Sequence, residues 1–211
     1  MKKNAALAAL HYIKDNAIIG IGTGTTVNVF IEQLAVSNLK IQAVSSSNQT
    51  TELLIQYKIP IISFKDITDL SVYIDGADAY NNLKELIKGQ GGALTKEKIL
   101  AYSSKKFICI IDDSKKPENF TKTPIAIEVI PMARSSVARS IVKLGGQPIY
   151  RTGFVTDNGN IILDVNNLPL DHPIALEQQL NNIPGVVANG IFAVRGADLI
   201  IVGTNSGSFL V

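Results

Sequence analysis

Residues 17–26 read AIIGIGTGTT, a short apolar run that ends in a turn rich in glycine and threonine. The apolar part predicts a buried strand, and residues 25–36 return to helical spacing. Glycines between a strand and a helix allow backbone N–H groups to turn inward at the positive end of the helix, which suits a phosphate. A tight turn capped by a threonine is the alternative interpretation. The loop completes neither the dinucleotide fingerprint, whose third glycine is missing, nor the Walker pattern, whose lysine is missing.

The sequence on either side of this stretch alternates between short apolar runs and helical patterns. Helices are predicted over residues 4–15 and 50–57, and strands over residues 41–45, 59–63, 71–75 and 107–111. Strands that alternate with helices favour an α/β fold, a Rossmann-like parallel sheet with helices on both faces. Ligands of such sheets bind beyond the carboxyl ends of the strands, so candidate site residues are sought in the loops that follow the strands.

The pattern changes near residue 124. From there the predicted order is strand, helix, strand, strand, helix, strand, over residues 126–130, 135–144, 148–152, 161–165, 174–180 and 186–193. This is the order of a ferredoxin-like α+β unit, and a last buried strand over residues 199–202 returns to the first sheet. We therefore predict a main α/β domain of residues 1–124 and 198–211, with an inserted satellite of residues 125–197 that serves as a lid or in dimerisation.

Composition excludes several classes of protein. Twenty basic and eighteen acidic side chains give a net charge of +2, and no block of Lys or Arg indicates a nucleic-acid partner. The single cysteine, Cys109, has no partner for an internal disulfide, and two histidines leave little material for a metal site. No apolar run reaches the ~18 residues of a membrane span, and no signal peptide is present. We expect a cytoplasmic protein that needs neither a disulfide nor a metal.

Two polar segments follow predicted strands. Asp75-Gly-Ala-Asp78 places two carboxylates three residues apart at the end of a strand, where they could bind hydroxyls, hold a cation or exchange protons. An Asp-Gly turn with a helix cap is the alternative. Lys115 follows the strand over residues 107–111, within a charged loop.

The segment KGQGGALTKE, from Lys88 to Glu97, is the most informative one. A lysine in front of a glycine-rich loop provides a cation beside backbone donors, which are the components of an oxyanion site. Glu97 lies in the predicted helix that follows, either as a base or as a solvated surface residue. Backbone freedom does not explain Gln90 within the glycines.

The order of these motifs resembles that of the ribose-5-phosphate isomerase A family. In the first half the matching segments are 22–26 (GTGTT), 45–47 (SSS), 75–78 (DGAD), 88–91 (KGQG), 95–98 (TKEK) and 113–115 (DSK). In the second half they are 128–133 (EVIPMA), 143–146 (KLGG), 155–160 (VTDNGN), 183–187 (IPGVV) and 190–192 (GIF). The resemblance therefore covers essentially the whole chain.

The resemblance implies a cytoplasmic enzyme that interconverts D-ribose 5-phosphate and D-ribulose 5-phosphate in the pentose phosphate pathway, as a homodimer or a dimer of dimers and without a cofactor. Such a reaction moves a proton between C2 and C1 through an enediolate, so it needs a base and a stabilised oxyanion. By resemblance Glu97 is the base, and Lys88 stabilises the enediolate.

The same resemblance implies the remaining site residues. Asp75 and Asp78 bind sugar hydroxyls, and Asp75 assists ring opening. The implied substrate contacts are Thr23, Gly24, Thr25 and Thr26 of the phosphate loop, Gly76 and Ala77, the backbone of Gly89, Gln90 and Gly91, Lys115, and Lys2 or Lys3.

Two positions depart from the family pattern, because Ala79 stands where a glutamate is usual and Gln90 where a glycine is usual. We expect activity to survive both changes, with Gln90 narrowing the loop or contacting a sugar hydroxyl. Two alternatives to the isomerase are a non-catalytic sugar-phosphate-binding regulator domain and a coenzyme A transferase-like enzyme with Glu97 as acyl acceptor. A regulator would normally carry a helix-turn-helix extension, for which the sequence before the first helix leaves no room.

Overall fold

Two units make up the chain in the computed structural model, which describes residues 1–211. The first comprises residues 1–77, 99–115 and 197–211, and the second comprises residues 78–98 and 116–196. The second unit thus takes in residues 116–124 and also residues 78–98, both of which the sequence analysis placed in the main domain. For residues 78–98 the reason is strand pairing, because two short strands of this segment, β4 (Ala79–Tyr80) and β5 (Leu86–Ile87), form a three-stranded sheet with β11 (Ile191–Phe192).

A six-stranded sheet organises the first unit and confirms the predicted α/β architecture. Its order is β13-β12-β6-β3-β1-β2, and every neighbouring pair except β12 and β13 is parallel. The strands are β1 (Ala17–Ile21), β2 (Ile41–Ser45), β3 (Val72–Asp75), β6 (Phe107–Asp112), β12 (Leu199–Gly203) and β13 (Ser208–Leu210). The helices that belong to this unit alone are α1 (Lys2–Leu10), α2 (Thr25–Ala35) and α3 (Asn48–Gln56), while α4 (Leu94–Ser103) runs from the second unit into the first.

The central strands are buried along their whole length because both faces of the sheet are covered. Every residue of β3 and of β6 is buried, which is typical of parallel strands with covered faces. A glycine in β1 makes room for a large neighbour, since a Cβ on Gly20 would lie 2.7 Å from Cδ2 of Tyr73 in β3.

Two predicted elements of this unit are wrong in extent or existence. The first helix spans Lys2–Leu10 instead of residues 4–15, and the chain beyond it turns through Asn16, whose φ is +58°. The strand predicted over residues 59–63 is reduced to a single bridge between Ala43 and Ile61. Pro60 has no N–H to give to a ladder, and only its carbonyl oxygen bonds to β2.

The second unit contains the predicted ferredoxin-like arrangement. Its four-stranded antiparallel sheet has the order β10-β7-β9-β8, with β7 (Ile125–Val129), β8 (Gln147–Tyr150), β9 (Ile161–Asn166) and β10 (Val186–Asn189). Helices α5 (Arg134–Lys143) and α6 (Pro173–Asn181) contribute Val137, Ile141 and Leu180 to its apolar core.

The last predicted strand of this unit is divided at Gly190. The N–H of Gly190 donates to the carbonyl oxygen of Ala126 at 2.7 Å, and a Cβ on Gly190 would lie 2.2 Å from the carbonyl oxygen of Lys88. The chain therefore leaves the four-stranded sheet as β10 and continues as β11, which pairs with β5.

Throughout the chain, no helix combines the length and the apolar character that crossing a membrane requires.

Candidate active site

The glycine–threonine loop of the first unit joins β1 to the N-terminus of α2. Gly24 caps the helix with φ +119° and ψ 172°, a conformation that glycine adopts readily and other residues avoid. Thr25 and Thr26 form the first turn, and Nζ of Lys2 donates to Oγ1 of Thr25 at 2.7 Å. Of the two N-terminal lysines, Lys2 is thus the one that contacts the loop.

A carboxylate that the sequence analysis did not single out lies near both lysines assigned to the phosphate. Asp112 ends β6, and its Oδ1 accepts hydrogen bonds from the N–H and hydroxyl of Ser114. Burial raises the pKa of Asp112, but the hydrogen bonds from Ser114 and the charges of Lys2 and Lys115 outweigh it and leave that pKa below its ordinary value. The sequence signal that identifies Asp112 is its position at the end of a buried strand.

The hydroxyl of Thr23 is engaged inside the protein. Its Oγ1 lies 2.9 Å from Oγ of Ser46 and 2.8 Å from Oγ of Ser47, which caps α3. Thr50 completes this hydroxyl cluster by donating to the carbonyl oxygen of Gly22 at 2.7 Å. Thr23 therefore ties the glycine–threonine loop to the start of α3 through Ser46 and Ser47.

Asp75 is fully buried at the end of β3 and is held by three donors. It accepts the N–H of Thr23 at 3.0 Å, the N–H of Gly76 at 2.7 Å and the phenol hydroxyl of Tyr73. A Cβ on Gly22 would overlap the carboxyl group at 1.9 Å. Tyr73 was missed as a site residue, although residues i and i+2 of a strand share one face.

A buried ion pair forms the centre of the candidate site in the second unit. Nζ of Lys88 lies 3.1 Å from Oε2 of Glu97, and the two side chains are 3% and 5% exposed. Glu97 stands in the first turn of α4, where the helix dipole stabilises a negative charge. The interpretation of Glu97 as a solvated surface residue is therefore wrong.

The loop between Lys88 and α4 uses one of the backbone donors assigned to the oxyanion site. The N–H of Gln90 donates to Oδ2 of Asp78 at 3.0 Å, and the carbonyl oxygen of Gln90 accepts from Nη1 of Arg151 at 2.9 Å. The N–H of Gly92 donates to Gly89, which closes a β-turn, whereas the N–H of Gly91 makes no hydrogen bond in the structure.

The departure at Ala79 has a simple explanation in this chain. Ala79 lies in β4 and is buried in the apolar core of the second unit, together with Ile87. No group of three or more His, Cys, Asp or Glu side chains is arranged to hold a metal ion.

Each unit thus contributes a distinct chemical capability. The first contains a helix N-terminus with threonine hydroxyls and Lys2, and the second contains a buried carboxylate beside a cation and a glycine loop. A base paired with a cation beside backbone donors is the equipment that moving a proton next to a carbonyl requires. Fold and site together define the class of aldose–ketose isomerases that act on sugar phosphates.

Comparisons with known proteins identify the family. The family model of ribose 5-phosphate isomerase A (phosphoriboisomerase A) matches residues 42–207. The chain is 56% identical over 208 residues to a ribose-5-phosphate isomerase A of Legionella pneumophila strain Philadelphia 1, across 98% of this chain and 96% of the relative. The chain therefore belongs to the ribose 5-phosphate isomerase A family.

Solved structures agree with this assignment. The crystal structure of ribose 5 phosphate isomerase A from Neisseria gonorrhoeae matches with a TM-score of 0.97 at 46% identity, over 100% of this chain and 95% of that chain. A D-ribose-5-phosphate isomerase in complex with phospho-erythronic acid matches with a TM-score of 0.93 at 39% identity, over 100% of this chain and 96% of that chain. Family membership sets aside the regulator and the coenzyme A transferase alternatives.

Proposed function

We propose that this chain interconverts D-ribose 5-phosphate and D-ribulose 5-phosphate through an enediolate, with Glu97 as the general base. The reaction follows from the family, and the observation that carries the role of Glu97 is its buried contact with Lys88 at 3.1 Å. The carboxylate removes the proton from C2 of the open-chain aldose, and the electron pair moves onto O1. The protonated Glu97 then delivers this proton to C1, while the proton of the C2 hydroxyl passes to O1.

Charge balance gives Lys88 its role. When Glu97 accepts the proton, negative charge moves from its carboxylate to the enediolate oxygen, and the ammonium group of Lys88 keeps one anionic partner throughout. A cation that is already in place requires no reorganisation as the charge moves, and it acts strongly where water is excluded. The burial of both side chains supports this proposal.

The other residues are proposed to bind the substrate. The phosphate is bound by Gly24, Thr25 and Thr26 at the start of α2, with Lys2 and Lys115. The contact from Lys2 to Thr25, and the charges that both lysines present to Asp112, support this assignment.

Two carboxylates complete the proposal, since Asp75 and Asp78 bind the sugar hydroxyls and Asp75 assists ring opening. In support, Asp75 accepts the N–H of Gly76, and Asp78 accepts the N–H of Gln90 in the glycine loop that precedes α4. Thr23, Ala77, Gly89 and Gly91 supply the backbone that surrounds the ligand.

The decisive experiment uses Glu97→Gln. We expect ketose formation from ribose 5-phosphate to fall about 10²–10⁴-fold, the range that a general base supplies. Binding of phospho-erythronic acid, the ligand named for one solved relative, should persist by calorimetry because the phosphate loop is unchanged. Glu52→Gln on an exposed face of α3 is the matched control. Near-normal turnover by Glu97→Gln would contradict the role of Glu97 as the base. In a separate test, we expect a chelator to leave the turnover of the wild type unchanged.

We further propose a cytoplasmic homodimer or dimer of dimers that acts on a small sugar phosphate and binds no nucleic acid. The net charge of +2 supports the absence of a nucleic-acid partner. Exposed apolar side chains of the second unit, such as Met132 and Ile149, support an interface between copies. Light scattering after size exclusion should give two or four times the chain mass, and a monomer at every concentration contradicts this proposal.

A further inference from the structure

The peptide group between Gln90 and Gly91 has a contact whose purpose none of the assigned roles explains. Its carbonyl oxygen accepts Nη1 of Arg151 at 2.9 Å. The peptide is the central one of the turn that the Gly92 N–H closes on Gly89. Rotation of a central peptide by about 180° interconverts β-turns of types I and II. The surrounding structure must therefore determine which of the two orientations this peptide adopts.

The sequence of the turn does not determine the orientation of this peptide. Type II requires a positive φ at its third residue, a position where glycine is favoured, and Gly91 is glycine. Yet the φ of Gly91 is not positive, so the turn has the sign of type I. Glycines also flank the turn, with φ values of +102° at Gly89 and +79° at Gly92, so a flip meets little steric resistance.

Arg151 is itself rigidly held. Its Nε and Nη2 donate to the two carboxyl oxygens of Asp164 at 2.8 and 2.5 Å, a bidentate geometry that fixes the guanidinium plane. The backbone N–H of Arg151 donates to Ile162 at 3.0 Å, and its guanidinium carbon lies 5.2 Å from the centre of the Phe154 ring. A fixed donor directly after β8, held by Asp164 of β9, thus reaches the turn of residues 89–92.

The segment that follows Arg151 holds the same loop at two further points. The ring of Phe154 fills the space beside Gly92, where a Cβ would lie 2.2 Å from Cζ of the ring. The fully buried carboxylate of Glu128 accepts the hydroxyl of Thr95 in α4 and also Thr156, Asn158 and Asn160. Residues 151–160 therefore hold the loop both at its turn and at the start of the helix that bears Glu97.

We propose that Arg151 is a positioning residue for the isomerisation, which selects the orientation of the Gln90–Gly91 peptide and so presents the N–H of Gly91 to the enediolate. This inference rests on the proposed function. In a trans peptide the C=O and N–H point in opposite directions, and no cis peptide is present. A charge-assisted bond to the carbonyl of Gln90 therefore directs the N–H of Gly91 away from Arg151. The same bond polarises the peptide and makes that N–H a stronger donor.

Arg151→Ala tests the proposal by steady-state kinetics with ribose 5-phosphate. We expect kcat to fall about tenfold or more, below the ~10²–10³ that loss of an oxyanion donor causes. KM should change far less, because the phosphate contacts lie in the first unit. Millimolar guanidinium should partly restore kcat in Arg151→Ala, which a loss of folding would not allow. Arg139→Ala, at an exposed arginine of α5, is the control.

A second pair of variants tests the donor and remains informative if Arg151→Ala folds poorly. Gly91→Ala keeps the N–H, and the same variant with a backbone ester at this position, made with lactic acid in place of alanine, lacks the N–H without the proline ring that would break the turn. We expect the ester to lower kcat relative to Gly91→Ala, and Arg151→Gln to cost less in the ester background than in the Gly91→Ala background, because the two residues act on one donor. Full additivity, or an Arg151→Ala variant with the kcat of Arg139→Ala, overturns the proposal. Normal turnover by Glu97→Gln would instead contradict the proposed function.

Discussion

Two lysine–glutamate pairs lie beside one aromatic ring in the second unit, and they have opposite characters. Nζ of Lys88 is 5.5 Å from the centre of the Phe192 ring, and Nζ of Lys98 is 4.4 Å from it. Lys88 pairs with Glu97, and Lys98 pairs with Glu177. The two pairs share their residue types, both glutamates are buried, and each pair has one member in α4, since Glu97 and Lys98 are neighbours there.

The difference lies in what else binds each carboxylate. Oε2 of Glu177 accepts the N–H groups of Ala193 and Val194, both at 2.8 Å, while Oε1 binds Lys98. Lys98 also donates to the carbonyl oxygen of Ile191 at 2.5 Å. Protonation of Glu177 would weaken several hydrogen bonds to a charged group at once. The carboxylate of Glu177 is held by two backbone N–H groups in addition to Lys98, whereas Glu97 follows a glycine loop and lies within 3.1 Å of the ammonium group of Lys88.

The largest expected effect separates the two lysines by activity. Lys88→Ala should lower kcat about 10²–10³-fold with a smaller change in KM, because the cation stabilises the enediolate more than the bound aldose. Lys98→Met should leave kcat close to that of the wild type, since it touches no reacting group. Steady-state kinetics on both variants checks this contrast. A Lys88→Ala variant with normal kcat and raised KM would make Lys88 a binding residue.

The next effect reverses the comparison and concerns stability. Glu177→Gln leaves the ammonium group of Lys98 partly buried without its counter-charge, and breaking a buried pair costs about 3–5 kcal/mol. We expect Tm to fall by about 6 °C or more, at about 2–4 °C per kcal/mol for a chain of this size. Calorimetry measures the shift, with Glu52→Gln as the exposed control. An unchanged Tm, or a loss of kcat that exceeds the loss of folded protein, would contradict a purely structural role for Glu177.

The contrast also shows which parts of the molecule the sequence could predict. The buried runs of β1, β3 and β6 each follow a local pattern, so short-range signals were sufficient to predict these strands. For Glu97 the local pattern left a base and a surface residue both open, and only the family resemblance favoured the base. Glu177 pairs with a lysine 79 positions earlier, and Arg151 reaches a carbonyl 61 positions earlier. No local pattern carries such contacts, because they depend on how the end of β8 and helix α6 are placed by the fold. A local pattern can also mislead. The apolar run over residues 59–63 predicted a strand, but Pro60 in this run has no N–H for a ladder, and only a single bridge forms.

The smallest effect sharpens the comparison through pH. Burial lowers the pKa of Lys98 from its ordinary value of 10.5, and the charge and hydrogen bond of Glu177 oppose this change without cancelling it. Between the lowered pKa and 10.5 the unfolded chain binds more protons at Lys98 than the folded one, so this residue makes the free energy of unfolding increase as pH rises through that window. Urea titrations across the alkaline range should therefore show a flatter dependence in Lys98→Met than in the wild type. In Glu177→Gln the opposing interactions are gone, the pKa of Lys98 falls further, and the window extends to lower pH. A wild-type slope that matches Lys98→Met would contradict the lowered pKa of Lys98, and a narrower window in Glu177→Gln would show that Glu177 does not hold the charge on Lys98.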